Sequence, residues 1–322
     1  MTLTVVTVAT GDYWCGASAL INSLADVGFS GEIVVAHDGE PPWILEKSAG
    51  ISTVRLPSDS RMRSYNLKAH AIGCASKGAP SSRVLYIDAD CIVLSADFVT
   101  RIDEFLDQAP VYSAEGILPR SDVRHVKWTS VVKELRLAGA GGVSTNLLEC
   151  VAYVNSGMIA FDLPRDQKII DGWQSVMDHV LIKEGGFFQT PYFFLPDQDC
   201  LNAVIANIDH PAVTMGPLDI WYRSLPLHPF NFIGAAEGPL LLHCTGYSKP
   251  WKLDRPPPNA PDIYDRAYYK YRYVECPLVK SPDEPSAELK DWFNDGRRSR
   301  IKRRLRRGSD QFDRIRRFMS RT

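Results

Sequence analysis

Two carboxylates stand one residue apart, at Asp88 and Asp90, where one apolar run of strand type ends and another begins. Side chains alternate along a strand, so both aspartates project in the same direction. Two carboxylates held that closely repel each other unless a cation lies between them, which predicts a divalent-metal site. The alternative is an acidic strand end in a solvated loop. The apolar residues of 84–87 and 91–94 argue against that alternative.

The aspartate pair belongs to a half of the chain in which strand and helix patterns alternate. Apolar runs indicate strands at 2–10, 33–36 and 53–56, and helical spacing of apolar residues indicates helices at 17–27, 66–77 and 97–107. The alternation predicts an α/β fold with a doubly wound, mostly parallel sheet and helices on both faces. Such sheets bind ligands at the carboxyl ends of their strands. The residues expected at that edge are Ala9, Thr10, Asp38, Asp88 and Asp90.

The pattern weakens from Gly116 to Cys150, a basic stretch that ends in a glycine-rich run. A flexible connection of this length inside a compact domain is usually functional or disordered, and we interpret it as a lid or an acceptor-facing segment. Strand patterns return at 152–162 and 239–244, with helical patterns at 166–183 and 196–207 between them. The proline run 256–258 then predicts the end of the compact unit.

Composition limits the class of protein. The 322 residues are 45% hydrophobic, which is enough for one large domain or two modest ones. The seven cysteines are scattered without a CxxC pair, which is typical of reduced thiols rather than of a disulfide scaffold. No signal peptide and no apolar stretch of membrane-spanning length is recognisable. These features predict a cytoplasmic protein.

The segment 297–322 is strongly basic, with twelve Arg or Lys residues against two Asp residues. The formal charge of the whole chain is −1, so residues 1–296 are acidic. Apolar residues recur in the segment at roughly helical spacing, and basic amphipathic segments bind anionic membrane surfaces. We therefore predict peripheral membrane contact, with a solvated tail as the alternative. The segment has no recognisable domain around it, which argues against nucleic acid as a partner.

Five motifs in order resemble one enzyme family. They are Tyr13-x-x-Gly16-Ala17-x-x-Leu20, Asp88-Ala89-Asp90, Asn155-Ser156-Gly157, Asp197-Gln198-Asp199 and His243-x-x-Gly246-x-x-Lys249-Pro250-Trp251. Together they resemble the retaining glycosyltransferases (family 8-like) that include glycogenin and the bacterial lipopolysaccharide α-galactosyl- and glucosyltransferases. The resemblance spans about residues 3–251. It implies a GT-A fold, a UDP-sugar donor and Mn²⁺, or Mg²⁺, as cofactor.

The resemblance also implies roles for individual residues. Uracil and ribose would lie against Ala9, Thr10 and Tyr13. The metal ligands would be Asp88, Asp90 and His243, a mixed oxygen and nitrogen set that suits Mn²⁺. Donor phosphates or sugar would contact Lys68, Gly246 and Lys249. The reacting carbon would lie beside Gln198, and sugar hydroxyls would be held by Asn155, Asp197 and also Asp199, for which a helix N-cap is the alternative.

The implied reaction is hexose transfer from the UDP-sugar to a saccharide or glycolipid acceptor. Because a neutral amide such as Gln198 is a poor nucleophile, we favour front-face attack over a covalent intermediate. The predicted organisation is a catalytic domain at 1–251, a Pro/Tyr-rich C-terminal extension at 252–296 and the basic tail at 297–322. The tyrosines between 264 and 273 are expected to pack together or to form an acceptor platform.

Other function classes remain open at this point. Asp88 and Asp90 also resemble the nucleophile loop of haloacid dehalogenase-like phosphohydrolases, although that loop normally ends the first strand of its domain. A sugar-phosphate nucleotidyltransferase would need a glycine-rich loop after the first strand, which residues 10–13 do not provide. A nucleotide-sugar binding protein without catalysis is the third possibility.

Overall fold

A computed structural model describes the chain over twelve segments and one further residue. They are residues 3–39, 50–56, 64–77, 81–137, 150–183, 191–208, 213–215, 220–224, 229–235, 238–244, 249–252, 263–272 and 279. All structural statements below concern these residues.

The chain alternates strands and helices in its first half, as the sequence predicts. The strands are β1 (Thr4–Val8), β2 (Ile33–His37), β3 (Ile51–Arg55), β4 (Arg83–Ile87), β5 (Cys91–Val93), β6 (Val111–Pro119), β7 (Cys150–Asp162), β8 (Val213–Met215), β9 (Ile220–Ser224), β10 (Pro229–Ala235) and β11 (Gly238–His243). The helices are α1 (Trp14–Asp26), α2 (Lys68–Ser76), α3 (Ala96–Leu106), α4 (Val123–Glu134), α5 (Leu163–Lys183), α6 (Pro196–Ile205) and α7 (Ile263–Arg272). Short 3₁₀ turns precede α1 and α2.

The main sheet has seven strands in the order β3-β2-β1-β4-β7-β6-β8. Neighbours pair in parallel except at β7, which runs antiparallel to both β4 and β6. A second sheet, in the order β5-β11-β10-β9, is antiparallel throughout. The prediction of an α/β fold with a mostly parallel sheet is therefore confirmed. The second sheet, by contrast, was predicted only through β11 and the apolar run of β5.

Separate apolar cores cover the two faces of the main sheet. Alternate residues of β1 enter different cores, Val5 on one face and Val6 on the other. Helices α1 and α3 pack on the Val5 face, and α2, α4, α5 and α6 pack on the Val6 face. Side chains alternate along a strand, so a central strand that is buried at every position, as β1 is, needs helices on both sides. The doubly wound arrangement follows from that pattern.

Helix α7 shares a third core with the second sheet and with α1. Tyr264, Tyr268, Tyr269 and Tyr271 are buried there, packed with side chains of α1, β5 and β11. The prediction that this tyrosine cluster packs is confirmed for these four residues, while Tyr273 lies outside the described residues. The proline run at 256–258 was predicted to end the compact unit. That prediction is wrong, because α7 follows the run and belongs to the same compact structure.

The first part of the connection predicted from Gly116 to Cys150 is regular structure rather than a flexible segment, and its interpretation as a lid or acceptor-facing segment stays a prediction. Residues up to Pro119 continue β6, and α4 buries Trp128, Val131 and Val132 in the core on the Val6 face of the main sheet. The sequence pattern failed here because α4 also carries valines on its solvent side, which blurs the helical periodicity. Residues 138–149, the remainder of the connection, lie outside the described residues.

No helix within the described segments is both long enough and apolar enough to cross a membrane. The basic tail at 297–322 lies outside these segments.

Candidate active site

The two predicted metal-binding aspartates lie in the turn that joins the two sheets. Strand β4 of the main sheet ends at Ile87, and β5 of the second sheet begins at Cys91. Backbone hydrogen bonds fix the turn, with Asp88 N donating to Gly157 O at 2.8 Å and Cys91 N donating to Asp88 O at 3.0 Å. Strand β11 pairs with β5 and brings its last residue, His243, opposite Cys91.

The three predicted metal ligands meet around the His243 imidazole. Its Nε2 atom lies 3.6 Å from Asp88 Oδ2 and 3.3 Å from Asp90 Oδ1. Asp90 Oδ1 is buried and accepts no hydrogen bond of good geometry, which is costly for a carboxylate oxygen without a cation. Two carboxylates and one imidazole are ligands that Mn²⁺ accepts. The residues present therefore fit a divalent cation.

Two lysines neutralise these carboxylates. Lys68 Nζ, at the start of α2, lies 2.9 Å from Asp88 Oδ2, and Lys249 Nζ contacts Asp90 Oδ2. All four side chains are largely buried. Burial alone would raise the pKa of both aspartates, but the adjacent ammonium groups lower the pKa of Asp88 and of Asp90 below the usual range. Burial would likewise lower the pKa of Lys68 and Lys249, and the carboxylates raise it instead.

His243 is charged in this arrangement. Burial would lower its pKa, but the negative charge of Asp90 and the close approach of both carboxylates raise the pKa to about 9. A metal ligand must be the neutral imidazole, so metal binding at neutral pH would release a proton from this side chain.

Cys91 is a side chain near these ligands that the sequence did not single out. Its thiol and the ligand atoms of Asp90 and His243 lie within 4.8 Å of one another. Burial raises the pKa of the Cys91 thiol well above its usual value, so the thiol stays protonated. A protonated thiol is a poor metal ligand, and Asp88 therefore remains the better third ligand.

The predicted sugar-binding residues lie beside this cluster. Asp197, in the first turn of α6, has Oδ2 2.9 Å from Lys68 Nζ and accepts a hydrogen bond from Ser156 Oγ at 2.7 Å. Lys68 thus bridges Asp88 and Asp197. The structure connects the Asp88-Ala89-Asp90 turn with the Asp197-Gln198-Asp199 motif, as a shared site requires.

Glu115 links the other two predicted residues. Gln198 Nε2 donates to Glu115 Oε2 at 2.8 Å, and Asn155 Nδ2 donates to the same oxygen at 3.1 Å. Nothing in the sequence around Glu115 marks it. The pairing of β6 with β7 places it there, a contact between distant parts of the chain that local patterns do not reveal.

Asp199 makes contacts that were not predicted. The N-cap of α6 is Leu195, so the alternative role of Asp199 as the helix N-cap is ruled out. Its predicted contact with sugar hydroxyls stays a prediction. Its carboxylate instead accepts hydrogen bonds from Leu195 N and from the Tyr153 hydroxyl, both at 2.9 Å. Burial raises the pKa of Asp199 to about 6. Both carboxylate oxygens of Asp199 therefore already have hydrogen-bond partners within the protein.

The predicted nucleoside-binding residues follow β1. Ala9 and Thr10 are buried, and Tyr13 is the N-cap of α1, with its ring edge-on to Trp251 at 5.5 Å. Tyr13, Lys68 and the aspartate turn line a small cavity of about 90 Å³. Burial and the charge of Asp90 raise the pKa of Tyr13 to about 12, so its hydroxyl stays protonated. Gly246, predicted at the diphosphate, lies outside the described residues.

Two glycines permit the close packing of the site. A Cβ atom on Gly157 would lie 2.3 Å from His243 Cε1 and 2.9 Å from Asp88 Oδ2. A Cβ atom on Gly16 would lie 2.4 Å from the Ala89 carbonyl oxygen. Real Cβ atoms do not approach neighbours so closely, and each position therefore requires glycine.

Comparisons with known proteins identify the type of α/β fold. The sequence matches no family model and no curated protein. Among solved structures, the chain is similar to the bifunctional glycosyltransferase WbbM, with a TM-score of 0.51, 16% identity and coverage of 87% of this chain. Further structures are GlyE of Streptococcus pneumoniae TIGR4 (TM-score 0.49, 15% identity, 92% of this chain) and the galactosyltransferase LgtC (TM-score 0.43, 14% identity, 78% of this chain and 90% of LgtC).

The chain spans 50% of the WbbM chain and 64% of the GlyE chain. At these identities the similarity concerns architecture. The seven-stranded, mostly parallel sheet with helices on both faces, together with the likeness to WbbM, shows that the chain has the GT-A type of α/β fold.

Proposed function

We propose that this chain is a metal-dependent, retaining glycosyltransferase that moves a hexose from a UDP-sugar to a saccharide or glycolipid acceptor. One observation carries the proposal: Asp88, Asp90 and His243 converge at the carboxyl edge of a GT-A sheet, directly beside Lys249. Gln198 is linked to this cluster through Ser156 and Lys68. The likeness to WbbM, a glycosyltransferase, supports the same reaction class.

The proposed metal site consists of Asp88, Asp90 and His243. Mn²⁺ or Mg²⁺ bound there would act as a Lewis acid on the departing diphosphate. Lys249 is the fixed cation next to this site, where it would stabilise negative charge that develops as the glycosidic bond to UDP breaks. Tyr13, Ala9 and Thr10 would hold the nucleoside at the end of β1, and Gly246 would allow close approach of the diphosphate.

The sugar would lie between Lys68, Asp197, Asn155 and Gln198. Lys68 is already bound to Asp88 and Asp197, so it would orient both carboxylates toward the donor. Gln198 is a neutral amide held by Glu115, and a neutral amide is a poor nucleophile. We therefore propose front-face attack: the acceptor oxygen bonds to the anomeric carbon on the side from which the UDP oxygen leaves with the bonding electron pair, and the proton of the acceptor hydroxyl passes to that departing oxygen.

Membrane contact through the tail at 297–322 forms part of the proposal. Twelve basic residues, with apolar residues at helical spacing, are the composition of a segment that binds anionic lipid headgroups. A lipid-linked saccharide would then be the natural acceptor.

A donor screen tests the function. The full chain is incubated with Mn²⁺ and a panel of radiolabelled UDP-sugars, and the release of free sugar is measured without acceptor. Slow hydrolysis of one UDP-sugar would support the transferase. Phosphate release from a phosphomonoester would instead support the haloacid dehalogenase-like alternative, which the position of Asp88 after the fourth strand already disfavours. Binding of UDP-sugar without turnover would indicate a nucleotide-sugar binding protein.

A further inference from the structure

The hydroxyl group of Tyr86 is a buried polar group that the proposed mechanism does not use. Tyr86 is only 1% exposed and lies in β4, two residues before Asp88. Side chains two residues apart along an extended chain project to the same side. The Tyr86 hydroxyl donates a hydrogen bond to Asp88 Oδ1 at 2.8 Å. A side chain of the main sheet is thus bonded directly to one of the proposed metal ligands.

The position of Tyr86 is fixed by its neighbours in the sheet and in the core. Strand β4 pairs with β1 on one side and with β7 on the other, so that Tyr86 lies opposite Val6 and Ile159. The Tyr86 ring packs in the apolar core on the Val6 face of the main sheet. Its face also meets the ammonium group of Lys68, whose Nζ is 5.8 Å from the ring centroid. A hydroxyl group on a ring held in this way can fix the orientation of the group that accepts its hydrogen bond.

The two oxygens of Asp88 have different surroundings. Oδ1 accepts the hydrogen bond from Tyr86, whereas Oδ2 lies 2.9 Å from Lys68 Nζ and 3.6 Å from His243 Nε2. The two oxygens of a carboxylate are chemically equivalent, and its terminal torsion is soft, so only its neighbours decide which oxygen points where. The ammonium group of Lys68 is shared with Asp197 and has donors that rotate, so it could bond either oxygen. The Tyr86 hydroxyl is the neighbour that distinguishes them.

Asp90 shows the same division of its oxygens. Its Oδ2 contacts Lys249, and its Oδ1 lies 3.3 Å from His243 Nε2. In each aspartate, one oxygen is therefore held by a side chain outside the cluster and the other oxygen lies beside the imidazole. Tyr86 does for Asp88 what Lys249 does for Asp90. The two oxygens beside His243 are the ones that remain for a cation.

We infer that Tyr86 is a positioning residue for the proposed metal site, because its hydroxyl orients Asp88 so that Oδ2 is the oxygen offered to the cation. This step rests on the metal site of the proposed function. Carboxylates that bind metals are oriented by hydrogen bonds from neighbouring groups, and loss of such a neighbour typically lowers metal affinity by about 10- to 100-fold. Without the Tyr86 hydroxyl, the carboxylate could turn both oxygens toward Lys68 and away from His243.

Tyr112 provides a matched control. It lies in β6, is fully buried and packs in the same apolar core as Tyr86. Its hydroxyl has no hydrogen-bond partner in the part of the chain that the structure describes. Tyr86→Phe and Tyr112→Phe therefore each remove one buried hydroxyl group from this core and keep the aromatic ring. Only Tyr86→Phe removes a hydrogen bond to Asp88.

The test measures Mn²⁺ binding to the full chain by isothermal titration calorimetry, without a UDP-sugar. We expect Tyr86→Phe to raise the dissociation constant for Mn²⁺ about 10- to 100-fold and Tyr112→Phe to leave it unchanged. Thermal unfolding of the same samples verifies that both variants fold, which the retained rings favour. An unchanged dissociation constant in Tyr86→Phe would overturn the inference. An equal increase in both variants would also overturn it, since the cause would then be core packing rather than the orientation of Asp88.

A kinetic measurement separates this inference from the proposed function. The Mn²⁺ concentration that gives half-maximal UDP-sugar hydrolysis should rise in Tyr86→Phe by the same factor as the dissociation constant, a shift that a loosened core alone would not produce. A wild-type chain that binds Mn²⁺ but hydrolyses no UDP-sugar would refute the proposed function and leave the calorimetric comparison valid. A wild-type chain that does not bind Mn²⁺ would overturn the inference together with the metal site.

Discussion

At Asp90, burial coincides with a carboxylate oxygen that lacks a good hydrogen bond. Its Oδ2 atom contacts Lys249, whereas Oδ1 accepts no good hydrogen bond inside the protein. Asp90→Asn keeps the size of the side chain and removes the charge that would hold a divalent cation. We expect this variant to fold normally and to lose donor hydrolysis, measured with saturating Mn²⁺. The control is Asp97→Asn at an exposed position of α3, which should leave hydrolysis unchanged. Near-normal activity of Asp90→Asn would contradict the metal-site assignment.

Glu115 is a positioning residue for the proposed reaction. One of its oxygens accepts hydrogen bonds from both Gln198 and Asn155, so its charge fixes the orientation of two amides. Glu115→Gln places an amide group where both donors converge. Because a hydrogen bond to a charged group contributes about 1.5–3 kcal/mol, kcat should fall roughly 10- to 100-fold, with little change in KM for the donor. Glu104→Gln on α3 is the control, and rescue by Glu115→Asp would separate positioning from general destabilisation. Unchanged kcat in Glu115→Gln would refute the role.

Asp199 should make the stability of the protein depend on pH. Its folded-state pKa is raised by burial from 3.8 to about 6, so the folded protein binds a proton more tightly than the unfolded chain does. The contribution of Asp199 to the free energy of unfolding is therefore fully present at low pH. It falls by about 3 kcal/mol in all as pH rises from about 4 to about 6. Asp199→Asn removes this loss. Urea unfolding should show that the free energy of unfolding of the variant increases relative to that of the wild type as pH rises.

Asp122 provides the opposite case. The hydrogen bond from Arg124 lowers the pKa of Asp122, so its stabilisation is present above its unfolded pKa and is lost as pH falls. At neutral pH, Asp122→Asn should therefore have a lower free energy of unfolding than the wild type. The same trend in both variants would show that the pH dependence has another origin.

At the scale of elements, β7 determines how closely the two sheets approach each other. Gly157 of β7 faces both His243 of β11 and Asp88 beyond β4, with no room for a Cβ atom. Gly157→Ala should destabilise the fold by about 1–3 kcal/mol through overpacking and should weaken Mn²⁺ binding, measured by urea unfolding and calorimetry. Gly116→Ala on the neighbouring β6 is the control, because a Cβ atom there meets nothing within 4 Å. Equal effects of the two substitutions would contradict this account.

The elements also show what a sequence alone can reveal. Strands β1, β2 and β4 are mostly apolar and buried at every position, and their alternation with helices was sufficient to predict the sheet and the edge that carries Asp88 and Asp90. Helix α4 escaped prediction because its exposed valines hide its buried face. Glu115 and Cys91 escaped because their neighbours in the site come from β7, α6 and β11, and such long-range pairing leaves no local pattern. Residues such as Lys68 and Gln198 were located through the resemblance rather than through spacing.

At the scale of the whole molecule, removing the basic tail at 297–322 and removing the chain from α7 onward should have different effects. Removing residues 297–322 takes away twelve basic residues and should lower binding to anionic liposomes, since each contributes about 1 kcal/mol near such a surface. Donor hydrolysis should persist, because the predicted site residues all precede this segment. Sedimentation with liposomes and a hydrolysis assay measure the two effects. Unchanged liposome binding would refute the role of the tail.

A chain that stops before α7 gives the contrasting result. It would expose the apolar core that Tyr264 and Tyr268 close against β5 and β11, and it should melt at a much lower temperature than the chain lacking only 297–322. The tyrosines also connect α7 to the site, because Tyr268 packs on Trp251 at 5.3 Å and Trp251 packs on Tyr13.

The pairing of β5 with β11 has a consequence for the newborn protein. During translation the aspartate turn leaves the ribosome well before His243 and Lys249 are polymerised, because β11 comes much later in the chain than β5. Throughout that interval Asp88 and Asp90 have neither the imidazole nor the second ammonium group beside them. If the chain has the proposed activity, a half-made chain therefore lacks the complete cation site, which forms only once β11 has paired with β5.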